Sequence, residues 1–155
     1  RVKSGEIFSS VGKKIFDNSK RVSISKQLQI YYNEYKHCIK KLNTDVILNE
    51  NIFIRVVTNI LNNAILNSDK VIIKTEVSDK IVKVNIHDDG KGIPDNEKEN
   101  VFKPFYRIDK SRNQNTVSSG LGLAITKSLL NSINGRIQLY DSYLGGLEVA
   151  IEIPN

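Results

Sequence analysis

The sequence predicts a two-layer α/β sandwich: a mixed sheet of about five strands with three main helices on one face. Two patterns carry that expectation. Apolar residues recur at helical spacings in several stretches, and elsewhere they alternate with polar residues at the period of two that a half-buried strand shows. Glycine, proline and asparagine clusters punctuate these segments. The 155 residues, 39% hydrophobic and 26% charged, are enough for one domain over 1–155 with its own core.

Ile7, Val11, Ile15 and Phe16 set a first helix over residues 5–17. Val22, Ile24, Leu28, Ile30 and Tyr32 follow a strand period, as one strand or two short ones. Tyr35, Cys38, Ile39 and Leu42 return to helical spacing within 33–45, a segment to which no function is assigned. Residues 46–48 read as a short strand, and Asn49 or Asn51 is placed to cap the next helix. That helix turns Phe53, Val57, Ile60, Leu61 and Ala64 toward the core and sets Asn59 and Asn63 on a neighbouring side.

Residues 71–77 and 81–88 form a strand pair around a tight turn at Ser78-Asp79-Lys80. Pro94 and Asp95 open a short acidic helical turn that leads to Val101 and Phe102. A helix over 120–134 follows, with Leu121, Ile125, Leu129 and Ile133 inward and Asn134-Gly135 as its stop. Strands over 136–140 and 147–153, joined through Gly145-Gly146, complete the sheet, and Pro154 ends it.

The net charge of +6 comes from scattered lysines, with no stripe or basic helix face, so it describes a solvated surface and no nucleic-acid partner is expected. No apolar run approaches the roughly 18–20 residues of a membrane span. Cys38 is the single cysteine and cannot form an internal disulfide, which favours a reducing compartment. The chain contains no Met and opens on no signal-peptide pattern, so a segment of a longer protein is expected. His37 and His87 are the only histidines, and both are expected at the surface.

The informative stretch runs from 86 to 123. Val82, Val84, Ile86 and Asp88 share one strand face, so Asp88 points inward while His87 and Asp89 point out. A buried carboxylate needs a partner. Gly90 and Gly92 let the backbone turn sharply and let a flat ligand approach, and an amine-bearing ring would satisfy the carboxylate. Asp89 is left for turn capping. Further on, the N-terminus of the helix opening at Gly120 offers unpaired N–H groups and a partial positive charge to an anion. Between them, 113–119 is polar with nothing to bury, and mobility without ligand is expected there.

Asp88-x-Gly90-x-Gly92, Asn59 with Asn63, the segment from Phe102 to Arg107, and Gly120-Leu121-Gly122-Leu123 together resemble the four ordered boxes of the sensor histidine kinase catalytic domain. That domain belongs to the superfamily of gyrase, Hsp90 and MutL ATPases. The resemblance covers residues 49 to 154, and its specificity lies in the joint occurrence of the boxes. It implies ATP and Mg²⁺ as cofactors, with 103–119 as a lid over the nucleotide. It implies a site formed by Asn59, Asn63, Asn67, Asp88, Gly90, Gly92, Ile93, Tyr106, Arg107, Ser119, Gly120, Leu121, Gly122 and Leu123. Asn59 and Asn63 would be the catalytic pair, and Asn63 the metal ligand through its carbonyl oxygen.

The implied partners are a phosphoacceptor-histidine helical hairpin of the same protein and the receiver domain of a response regulator. The full-length protein is expected to be a homodimer, anchored in a membrane only through segments outside this chain, with this domain cytoplasmic. Neither histidine here sits in a His-Glu/Asp-x-x-x-Pro context, so the acceptor is expected elsewhere. Hydrolytic members of the superfamily carry Glu where Asn59 stands, and Asn cannot act as a general base. Leu66 and Asn67 replace a usual Lys and an aromatic or basic residue, Ser118 replaces the first Gly of the later box, and Leu147 or Glu148 stands where Thr often backs the aspartate. A degenerate nucleotide-binding or signal-relay module and a gyrase-type hydrolase are therefore the competing readings.

Overall fold

The computed structural model of the protein describes residues 3–7, 50–78, 80–108 and 120–154. The expectations for 8–49, including the strands at 22–32 and 46–48, the 33–45 segment and His37, lie outside the described residues, as do those for 109–119.

The described strands are β1 (Lys3–Ile7), β2 (Val71–Val77), β3 (Ile81–Asp88), β4 (Arg136–Asp141) and β5 (Leu147–Pro154), and the described α-helices are α1 (Glu50–Asn67) and α2 (Gly122–Ser132). Short 3-10 turns at Asp95–Glu97 and Asn100–Phe102 form the acidic turn expected after Pro94. The sheet order is β1-β2-β3-β5-β4, and every described neighbouring pair is antiparallel. The mixed sheet is thus corrected. The crossover through α2 does deliver β4 parallel to β3, but the hairpin at 142–146 sends β5 back between them, so no parallel ladder forms among the described residues.

A second correction concerns residues 5–7, read as the start of a helix. They belong to β1, where Ile7 pairs with Ile73 and Lys3 with Val77, so the open edge of β2 wins over helical spacing. β2 and β3 lie at the expected bounds. Ser78 closes their turn, its N–H donating to the Ile81 carbonyl at 2.9 Å. Asn51 lies inside α1 and does not cap it.

The core lies between the sheet and the helices. Phe53, Val56, Val57, Ile60, Leu61 and Ala64 of α1 meet Val71, Ile73, Val82, Val84, Ile86, Val149, Ile151 and Ile153 of the sheet. Each fully buried Val, Leu, Ile or Phe side chain contributes about 1.5–3 kcal/mol relative to exposure. On α2 the buried residues are Thr126 and Leu130, with Leu129 and Ile133 packed beside them, while Leu121 and Ile125 remain half-buried outside the core. The expected inner stripe is therefore rotated. Thr126 scores as polar in a sequence pattern, yet its hydroxyl closes on the Gly122 carbonyl at 2.8 Å and leaves a methyl to pack. Asn134 at φ 57° and the Gly135 N–H on the Leu130 carbonyl at 2.8 Å end the helix as expected.

His87 does face away from Asp88, but it is buried, contrary to the surface position expected. The Tyr143 ring from the β4–β5 hairpin covers it at 4.8 Å between centroids, and Glu148 lies opposite on β5. Burial lowers the His87 pKa from its ordinary 6.5; Glu148 opposes that shift, Lys74 adds to it and Asp88 opposes it. Below pH 6.5 the unfolded chain therefore binds a proton that the folded chain resists. The stability this group confers is present above 6.5 and is lost as the pH falls toward its folded pKa. Thermal melts are expected to drop from pH 7.5 to 5.5, and His87→Phe should flatten that window. An equally steep drop in the variant would assign the loss to other groups.

Candidate nucleotide-binding site

The alternation of β3 brings Asp88 to the inner face, 6% exposed. Its Oδ1 accepts from the Gly90 N–H at 2.9 Å and from the Leu147 N–H at 3.0 Å. Oδ2 makes no hydrogen bond among the described residues. One oxygen is thus held by two backbone amides and the other is left to accept. The Leu147 amide reaches this carboxylate from the neighbouring strand β5. Asp89 takes the structural task, its Oδ1 accepting from the Asp69 and Lys70 N–H groups at 2.9 and 2.8 Å.

Two glycines make this arrangement possible. A Cβ at Gly146 would stand 2.2 Å from Asp88 Oδ1 and 2.4 Å from the Gly90 nitrogen, and one at Gly90 would stand 2.5 Å from the Asn67 carbonyl oxygen. No side chain fits at either place. Gly92, at φ +69°, passes beside the Gly146 carbonyl. Sequence reading treats Gly146 only as a strand connector; the available signal was its place one residue before the strand that pairs with β3. Ile93 packs at the edge of the core.

Asn59 and Asn63, one helical turn apart on α1, both meet the first turn of α2. Asn59 Nδ2 donates to the Gly122 carbonyl at 3.5 Å and to Thr126 Oγ1 at 3.4 Å. Asn63 Nδ2 lies 3.7 Å from where a Cβ on Gly122 would be, and its side chain makes no hydrogen bond among the described residues. The Asn67 amide donates to the Asn63 carbonyl at 2.7 Å, and the Asn67 carbonyl abuts Gly90, which links the asparagines to Asp88. Leu66, by contrast, is exposed. The helix starts at Gly122, two residues later than expected, with Leu121 as N-cap and no side-chain cap, so no side chain competes for its first N–H groups. Leu121 and Leu123 are half-buried beside them.

Gly120, at φ +69°, accepts the Phe105 N–H at 3.1 Å, and a Cβ there would crowd Phe105 and the Tyr106 carbonyl at 3.1 Å. The aromatic segment is thereby laced to the entry of α2. Tyr106 donates its hydroxyl to Glu97 in the first 3-10 turn, a bond that raises its pKa with burial adding to it, so that hydroxyl is occupied. Arg107 is half-buried and makes no ion pair with the described residues; Ser119 lies outside them. Lys98 bridges Asp95 and Asp141 at 2.6 and 2.8 Å and ties the 3-10 turns to the end of β4.

The donor set suits a purine nucleotide with a hard cation. Asp88 Oδ2 is an acceptor with no partner among the described residues, the Asn63 side-chain amide is likewise uncommitted there, and α2 starts beside Asn59 and Asn63 without a side-chain cap.

Residues 48–155 match the family described as Histidine kinase-, DNA gyrase B-, and HSP90-like ATPase. The chain therefore belongs to that family, whose ATPase domain binds ATP. Within it the chain is the ATP-binding catalytic domain of the sensor histidine kinase type. It is 34% identical over 107 residues to the sensor histidine kinase CpxA of Escherichia coli, covering 68% of this chain and 23% of that protein. It is 39% identical over 71 residues to the sensor protein kinase WalK of Staphylococcus aureus, covering 46% of this chain and 17% of that protein. Among solved structures, the mycobacterial sensor histidine kinase MprB superposes with a TM-score of 0.62 at 29% identity, covering 70% of this chain and 76% of that one. The chain thus spans about a quarter or less of the two sensor proteins. No helix among the described residues is long and apolar enough to cross a membrane.

Proposed function

We propose that this domain, built on residues 1–155, binds ATP with Mg²⁺ and transfers the γ-phosphoryl group to a histidine on a helical hairpin of the same protein. Asp88 Oδ2 accepts the exocyclic amine of adenine, while Gly90, Gly92 and Gly146 keep side chains out of the approach. Ile93 and Leu123 supply apolar contacts to the base. The first-turn N–H groups of α2, from Gly122 onward, donate to phosphate oxygens, with Gly120 and Leu121 shaping the entry and Tyr106, Arg107 and Ser119 at its rim. Asn63 offers its carbonyl oxygen to the cation, with Asn67 holding the last turn of α1. When bound, Mg²⁺ neutralises charge on the phosphates, which phosphoryl transfer requires.

The observation that carries this reading is Asn59. It stands one turn before Asn63, tethered to Gly122 and Thr126, and an amide cannot take a proton from water. A site that holds the nucleotide without a water-activating base favours an external nucleophile, with positioning supplying much of the rate. In the full-length protein this domain would act within a homodimer on the cytoplasmic side, with a response-regulator receiver as the next acceptor and membrane attachment through other segments. The test is to supply full-length protein with saturating Mg-ATP. An acid-labile phosphoprotein with slow phosphate release is the expected result. Rapid hydrolysis by this domain alone favours a gyrase-type enzyme, and binding with neither reaction leaves a relay module.

A further inference from the structure

We infer that Thr126 is a positioning residue: its buried hydroxyl, together with the Gly122 carbonyl it binds, sets which end of the Asn59 amide is presented to the nucleotide. This rests on the kinase reading only for its effect on rate; the orientation itself is a property of the free domain.

Thr126 has no exposed surface and lies between α1 and α2. For packing alone Val would serve there, and a buried hydroxyl is costly unless bonded. Its bonds carry the inference. The single hydroxyl proton is spent on the Gly122 carbonyl at 2.8 Å, so toward Asn59 the oxygen offers lone pairs only. The Gly122 carbonyl oxygen is likewise an acceptor only. Asn59 therefore meets two oxygens, at 3.4 and 3.5 Å, neither of which can donate to it. Nδ2, with two N–H groups, is the one end that can face them; a flipped amide would set Oδ1 against two sets of lone pairs.

Both bonds are long, so the selection comes mainly from the repulsion that the flipped amide would meet. The consequence falls on the other end of the side chain. Oδ1 is left without a bond among the described residues and is presented as an acceptor. A carbonyl oxygen attracts a hard cation or its bound water, whereas an NH₂ group repels it. Thr126, with the Gly122 carbonyl, thus sets the sign of the interaction that Asn59 offers, without touching the ligand.

Two substitutions separate this from packing. Thr126→Val keeps the shape and removes the hydroxyl; Thr126→Ser keeps the hydroxyl and removes the methyl. The first readout is NMR of the free domain, with the Asn59 side-chain NH₂ pair assigned by its loss in Asn59→Asp. Those protons should exchange with solvent roughly tenfold faster in Thr126→Val, as expected for losing about one net hydrogen bond, and at the wild-type rate in Thr126→Ser. The second readout is transfer by the full-length protein. Thr126→Val should lower kcat roughly tenfold with KM for ATP little changed, on the same one-bond estimate, and Thr126→Ser should restore it. Unchanged NH₂ exchange in Thr126→Val overturns the inference, as does unchanged kcat when the wild type transfers, or a Thr126→Ser loss equal to that of Val. If the wild type itself transfers nothing, the kinase reading fails, and the NMR arm still decides the orientation.

Discussion

Asp88→Asn is expected to abolish adenine-nucleotide binding while the domain stays folded. Asn at this position keeps an Oδ1, so the N–H groups of Gly90 and Leu147, 2.9 and 3.0 Å away, remain satisfied. The change falls on the second atom. Oδ2, which has no partner among the described residues, becomes an NH₂ that confronts the adenine amine donor to donor. A charge-assisted acceptor is worth about 1.5–3 kcal/mol, and the unpaired donors add to the loss, so affinity should fall on the order of 100-fold or more. Asp88→Ala is a different experiment. It strands two half-buried amides and should lower the melting temperature, which the Asn variant should not. Calorimetric titration of both proteins with ATP, ADP and GTP decides the matter. Equal affinity in wild type and Asp88→Asn, or wild type that binds GTP as well as ATP, would remove the base-reading role of this aspartate.

Where a feature depends on neighbours along the chain, the sequence made it readable. The strands 71–77 and 81–88 follow from alternation and the turn between them, and the α1 stripe from Phe53 to Ala64 follows from helical spacing. Asp88 and Asp89 were separable for the same reason, since a period of two assigns adjacent residues to opposite faces. What escaped was set by tertiary partners. His87 is buried because Tyr143 folds over it from a hairpin more than fifty residues later in the chain. Gly146 matters because β5 inserts beside β3 and brings it against the Asp88 carboxylate, a register no local pattern contains. Thr126 is buried because Gly122 and Asn59 supply partners for its hydroxyl, and the second of these lies on another helix. β1 was misread because five residues with a glycine at their centre carry too little pattern to outweigh the helical spacing of Ile7 with Val11 and Ile15.

Asn63→Ala is expected to stop phosphoryl transfer at no cost to stability. The Asn63 side chain makes no hydrogen bond among the described residues, and the bond that Asn67 makes to position 63 ends on the backbone carbonyl, which Ala retains. Ala is also the better helix former by roughly half a kcal/mol, so the melting temperature should hold or rise. The loss is confined to the carbonyl oxygen offered to the cation. Without it the metal is poorly placed to neutralise the phosphates, and the transfer rate in the full-length protein should fall at least on the order of 100-fold. The pattern of binding separates this defect from that of Asp88→Asn. With the metal chelated, Asn63→Ala should bind nucleotide as the wild type does, because base recognition through Asp88 is intact. With Mg²⁺ restored, only the wild type should gain affinity, whereas Asp88→Asn should bind poorly under both conditions. Transfer by Asn63→Ala at the wild-type rate across a Mg²⁺ titration would move the metal ligand to another residue, and Asn59, tethered one turn away, would be the next to substitute.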